Sequence, residues 1–241
     1  MVNVTYEIAR KEILSYFSGK MSMVRNLIML AIFSIVPIMQ VDAVMTATNY
    51  DASSIGQALE AYLPFASMYA VVMGSAIAVM AIPYEKEQKT IEYLFSLPLK
   101  DSQILAGKTL AAIAAGLAGL AFVTALIYGY VFVLNGHLIQ WTATFPTASL
   151  LLTTLVITPL IVVLAVLVIV AVSSFVSSVR MTYMPTYLIV GMIIGLSFVK
   201  YQEGVDPLLM DTAIIGFLLA LIVAAFTVTL KTFSRERIAG S

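Results

Sequence analysis

The sequence predicts an all-α integral membrane protein with six transmembrane helices, and three observations carry that reading. The chain has 241 residues, 61% of them hydrophobic and only 11% charged. A soluble domain is about one quarter charged, so there are too few polar side chains here to cover a water-facing globule. Six separate apolar stretches approach the roughly 20 residues that a helix needs to cross about 30 Å of hydrocarbon. Lastly, the basic residues fall almost entirely on alternate loops, as the positive-inside tendency requires. The chain reads as a single transmembrane unit over residues 1–241.

Before the first span lies a polar, amphipathic segment, residues 1–22, which does not read as a secretory signal. Val2, Tyr6, Ala9, Ile13 and Phe17 share one helical face, and Glu7, Lys11, Ser15 and Ser18 the other. We expect a helix lying in the membrane interface and turning at Gly19, with a solvated leader as the alternative. The spans follow near Leu27–Met45, Tyr62–Ile82, Thr109–Leu134, Ser149–Val176, Tyr183–Val199 and Thr212–Leu230. The fifth is the shortest and carries Pro185. Pro37, Pro64 and Pro159 are further candidates for kinks. Arg10, Lys11, Lys20, Arg25, Lys86, Lys89, Lys100, Lys108, Arg180, Lys231, Arg235 and Arg237 all fall on one side of this layout, and only Lys200 on the other. Both chain ends are therefore expected in the cytoplasm. The outer loops are short, near Thr46–Ala61, Asn135–Ala148 and Lys200–Asp211, with Tyr50, Trp141 and Tyr201 as interfacial aromatics.

The inner connection after span two is the longest and holds the most pattern. Pro83 predicts a break. Over residues 84–100, Glu85, Glu87 and Glu92 suit the positive end of a short helix, and Ile91, Leu94 and Phe95 form its apolar face. Pro98 stops it, and Asp101 or Ser102 is placed to cap the next helix. The pattern fits a lever that a soluble partner pushes, and equally an interfacial helix resting on lipid.

Here the chain resembles the ABC-2 type transporter permeases. Glu85, Glu87, Thr90, Glu92, Leu94, Pro98, Ile104, Gly107 and Lys108 match that family's cytoplasmic signature. The segments Ala9–Glu12 and Phe233–Ile238 are similar to its N-terminal helix and its charged tail. One departure is Lys89, where the family usually has glycine. The resemblance implies a type V exporter-like fold in a prokaryotic plasma membrane. It implies a second permease chain, identical or not, and two separate ATPase subunits that hold the ATP and Mg. Glu85, Glu87, Thr90, Glu92, Leu94, Phe95 and Pro98 would belong to the coupling helix seated on an ATPase, and spans two and five would line the route at the dimer centre.

Other chemistries are poorly supported. Net charge is zero, which argues against a nucleic-acid binder, and the absence of cysteine excludes thiolate sites and disulfides. Ala106-Gly-Lys-Thr109 lacks the earlier glycine of a phosphate loop, since Ser102 stands there. The chain is thus not expected to hydrolyse ATP, and Lys108 is expected to reach out to the headgroups. His137 is the only histidine, so a histidine metal cluster is excluded, and the 13 methionines are scattered. No charge falls near the middle of a span. Asp42 and Glu60 read as wet outer residues and Asp211 as the cap of span six.

Small residues recur at helical spacing in two spans. Ala66, Ala70, Gly74 and Ala78 run down span two, and Gly191 and Gly195 sit in span five. Such ridges serve either packing within the chain or an interface with a second permease. Tyr62, Ser67, Tyr69, Ser75, Thr186, Tyr187 and Ser197 are candidate pathway groups, against the plainer role of bonding their own helices. The expectation is a permease subunit that exports amphipathic or apolar cargo. An ATPase-independent transporter or channel, and a non-transporting scaffold or maturation factor, are the alternatives.

Overall fold

The computed structural model describes residues 4–81, 83–88, 101–141, 145–173, 175–176, 178–200 and 206–232. Among them the regular elements are all helices. An N-terminal helix, Val4–Ser18, precedes the bundle. Six helices are long and apolar enough to cross a membrane: Lys20–Ala47, Ala52–Glu85, Ser102–Leu134, Ala148–Ser173, Val179–Leu196 and Pro207–Leu230, numbered here as spans one to six. We call the end of the bundle where the chain begins the base.

Span two is the core of the protein. It packs against spans one, three, four and five, and span six lies against span four on the outside. Its small-residue ridge explains how it fits there. Ala66, Ala70 and Ala78 are buried, as is Gly74. A Cβ added at Gly74 would stand 3.1 Å from the carbonyl oxygen of Ala112, and one at Gly116 would stand 3.1 Å from that of Ala70. Spans two and three therefore cross at Gly74 and Gly116, backbone against backbone, with Val162 and Val166 of span four filling the angle. The ridge expected to serve either packing or a dimer interface is occupied by the chain's own helices.

The connection between spans one and two is tighter than the sequence suggests. In place of a loop over 46–61, helix resumes at Ala52. Asn49 and Tyr50 turn the chain with φ of 51° and 61°. Asp51 then accepts from the Ser54 N–H at 2.9 Å and from the Ser53 hydroxyl at 2.5 Å, capping the new helix. The Ser53 hydroxyl and then Ser54 hold the Asp51 carboxyl below its ordinary value. Its folded value being lowered, the cap is complete above the usual carboxylate range and is lost as pH falls through that lowered value.

Spans two and three are 34 and 33 residues long, about 50 Å each at 1.5 Å per residue. That exceeds the hydrocarbon thickness of about 30 Å, so both helices overhang it. The N-terminal helix packs along span three, with further contacts to spans one and two. Its buried residues are Glu12 and Tyr16, whereas Tyr6, expected on the apolar face, is 63% exposed. Ala9, Ile13 and Phe17 pack against the core as their spacing indicated, and Glu7, Lys11, Ser15 and Ser18 are exposed. Glu12 is buried beside them by an ion pair described below.

We predict that Gly116→Val lowers the stability of the purified chain by about 1–3 kcal/mol through overpacking. Gly191→Ala, at a glycine with nothing within 4 Å of its added Cβ, should stay within about 0.5 kcal/mol of the parent. Thermal unfolding in detergent measures both.

Candidate functional site

Three helices meet at the base around one lysine. Lys108 is among the largest fully buried side chains, 2% exposed. Its Nζ donates to Glu12 Oε1 at 3.1 Å and to Glu85 Oε2 at 2.9 Å, and also to the carbonyl oxygen of Ala81. Three donors thus find three acceptors, Glu12 of the N-terminal helix and Ala81 and Glu85 at the end of span two. Lys11, exposed on the rim, lies 3.4 Å from Glu12 and 3.8 Å from Glu85. The neighbouring Gly107 lets the N-terminal helix approach, since a Cβ there would stand 2.8 Å from Ile8 Cβ and 2.9 Å from the Thr5 carbonyl oxygen. The expectation that Lys108 reaches out to headgroups is corrected: it is turned inward because two carboxylates stand where its ammonium ends.

Of the expected coupling residues, Glu85 and Glu87 are described, and both make contacts within the chain. Glu85 holds Lys108, and the exposed Glu87 accepts from the Val179 N–H at 3.1 Å. Thr90, Glu92, Leu94, Phe95 and Pro98 lie outside the described residues. The short helix Pro83–Glu87 leads straight into them.

At the far end the acidic residues are hydrogen-bonded within the chain, with Asp42 and Glu60 still partly exposed. Tyr130 donates to Asp42 at 2.6 Å. Glu60 accepts from the Thr147 hydroxyl and lies 3.0 Å from Ser149 Oγ, which in turn lies 2.6 Å from Asp211 Oδ2. Asp211 is fully buried, in span six beyond its first turn. It does not cap that helix: Asp206 does, accepting from the Leu208 N–H at 3.0 Å. Tyr128 and Thr154, 2.6 Å apart, join spans three and four where both contain a π-helical stretch, Gly129–Leu134 and Thr153–Ile157.

The pathway candidates do not share one environment. Ser67 bonds its own helix, at 2.5 Å from the Pro64 carbonyl oxygen. The Ser75 and Thr186 hydroxyls are buried and meet no partner among the described residues, so the plainer role fails for these two. Tyr69 is buried against span three, where a Cβ at Gly119 would touch its ring. Tyr62 lines a cavity of about 410 Å³ between spans one, two and five, together with Gln40, Phe65 and Phe198. On span five, Tyr187 is 72% exposed, and Gly191 and Gly195 are exposed with nothing within 4 Å of an added Cβ. The side chain of Ser197 lies outside the described residues. Span two therefore turns its small residues inward, and span five leaves its pair uncovered.

Sequence reading missed the Glu12–Lys108–Glu85 cluster as a unit. Lys108 lies 96 residues from Glu12 and 23 from Glu85, so no local spacing joins them. The available signal was that Glu85, Gly107 and Lys108 all fall in one family signature.

Removing one partner of a buried pair strands the others. Lys108→Met is expected to cost about 3–5 kcal/mol, since it leaves two carboxylates facing each other. Adding Glu12→Gln and Glu85→Gln to it should recover most of the loss, because the carboxylates it strands are then gone and the remaining Lys11 is exposed. Unfolding midpoints of the single and triple variants test this.

No curated protein is similar enough to the chain to count as a match. The family model described as ABC-2 family transporter protein matches residues 6–202, a stretch that takes in the N-terminal helix, the base cluster and spans one to five. More than half the chain is covered, and the chain belongs to the ABC-2 transporter family.

Proposed function

We propose that this chain is the permease subunit of an ATP-driven exporter of amphipathic or apolar cargo, working with separate ATPase subunits and a second permease chain. In this reading the base faces the cytoplasm of a prokaryotic cell and both chain ends lie there. The observation that carries it is the lysine cluster. Lys108 fastens the N-terminal helix, span three and the base of span two into one body. The segment over residues 89–100 leaves that body directly, so a force applied there reaches several spans together.

The proposed cycle runs from partner to cargo. Nucleotide binding draws the ATPase subunits together, and they displace the segment from Glu85 to Pro98. Leu94 and Phe95 provide its greasy contact, and Thr90 and Glu92 its polar one. The fastened body moves with it, carrying spans two and three. The cavity beside Tyr62 and Phe198 suits apolar cargo with one or two hydrogen-bonding groups, because Gln40 and Tyr62 are its polar side chains. The uncovered face of span five, with Tyr187, Gly191 and Gly195, suits the second permease. ATP and Mg belong to the ATPase subunits.

The buried Asp211 beside Ser149 and Glu60 favours a second reading, an ion-coupled transporter that needs no ATPase. Variants of the segment and of Asp211 separate the two. Phe95→Asp and Leu94→Asp should leave ATP hydrolysis by the assembled complex running while transport of co-purified cargo falls, with the fold intact by thermal unfolding. Transport that proceeds without any ATPase subunit, and stops in Asp211→Asn, would replace the exporter reading by the second one.

A further inference from the structure

We infer that Glu87 is a positioning residue that ties the start of span five to the base of span two, so that span five answers to the same segment as spans two and three. The contact is read from geometry alone, and its consequence for transport rests on the exporter reading above.

The starts of the spans differ in where their caps come from. Span two is capped by Asp51, span four by Thr147 and span six by Asp206, each the residue next to the helix it serves. Span five opens with a four-residue helix, Val179–Thr182, and continues beyond Tyr183 as Met184–Lys200. Ser178 occupies the N-cap of the opening turn with φ of −85° and ψ of 126°, and its side chain makes no capping hydrogen bond. The acceptor comes from elsewhere. Glu87 Oε1 takes the Val179 N–H at 3.1 Å from 92 residues away in sequence. A carboxylate is the group a helix start favours, because it meets both an unsatisfied N–H and the positive end of the dipole.

Glu87 shares the short helix Pro83–Glu87 with Glu85. Residues two apart point to different sides of a helix. One side of this helix thus holds Lys108 through Glu85, and another holds span five through Glu87. A displacement at the base is divided between two grips. Span five is also the span that leaves Gly191, Gly195 and Tyr187 uncovered, and its Phe198 lines the cavity beside Tyr62. Moving its start therefore changes the cavity wall as well as the uncovered face.

Two measurements test the inference, and the absence of cysteine makes labelling clean. In the chain alone, reconstituted in lipid nanodiscs, amides 179–182 should exchange about five-fold faster in Glu87→Ala, the loss expected of one cap. Glu87→Gln, which keeps an acceptor oxygen, should stay near the parent. Unchanged exchange in Glu87→Ala overturns the contact. In the complex with its ATPase subunits, spin labels at Met39→Cys and Leu188→Cys, both exposed sites, report the separation of spans one and five. ATP with vanadate should shift that distance in the parent and not in Glu87→Ala. A control pair on spans one and three, Met39→Cys and Phe122→Cys, should shift in both. A control pair that also stops shifting in Glu87→Ala overturns the steering role. An equal shift of the first pair in both proteins overturns the steering role and leaves the exporter reading standing. A parent complex with no shift at all overturns both.

Discussion

An ammonium group with almost no access to solvent must be surrounded by acceptors or lose its charge, and that constraint governs the base of this protein. Desolvating the charge of Lys108 costs several kcal/mol, which only close and complete pairing offsets. The three acceptors come from Glu12, Glu85 and Ala81. None of them belongs to the helix that carries the lysine. The pairing therefore sets where the N-terminal helix lies, how it is rotated and how the end of span two is held. Gly107 permits the close approach this needs. In ABC-2 family terms, three of the signature residues, Glu85, Gly107 and Lys108, have a mechanical reason to be there.

Within the spans, the driving force is different. Lipid tails are as apolar as the side chains, so helices associate through close packing and hydrogen bonds more than through expulsion of water. Span two shows the packing part, with its alanines and Gly74 closed against spans three and four. The far end shows the hydrogen-bonded part, where Asp42, Glu60 and Asp211 each meet hydroxyl groups of other spans. Both ends are thus fastened by polar contacts, and the cavity beside Tyr62 lies toward the far end, next to Glu60 in the chain. That arrangement suits a bundle whose spans slide or rock while its ends keep their partners.

The number of spans and their rough limits were legible in the sequence because length and hydropathy alone decide them. The break at Gly19 was legible too, since the N-terminal helix ends at Ser18 and span one starts at Lys20. What was not legible depended on partners far along the chain. Ala9, Ile13 and Phe17 marked the inward face correctly, but the burial of Glu12 beside them and the exposure of Tyr6 were not foreseen. Lys108 looked like a headgroup contact until Glu12 and Glu85 were seen beside it. Asp211 passed for a cap because its neighbour in space, Ser149, is 62 residues away. The ridge of span two was legible as a surface of close approach, either to the chain's own helices or to a second permease, and spacing did not say which. Gly74 meets spans three and four of its own chain. The coupling residues Thr90, Glu92, Leu94, Phe95 and Pro98 fall outside the described residues, so their role rests on the sequence signature alone.

The central claim is that a soluble ATPase moves this bundle by gripping the segment between spans two and three, and that Lys108 conveys the movement. An electron-microscopy structure of the chain together with its ATPase subunits tests it most directly. The account predicts residues 89–100 seated on an ATPase surface, with Lys108 still enclosed by Glu12 and Glu85 above them. A segment resting on lipid with no ATPase beneath it, or a lysine that has left both carboxylates while the N-terminal helix keeps its place, would contradict it.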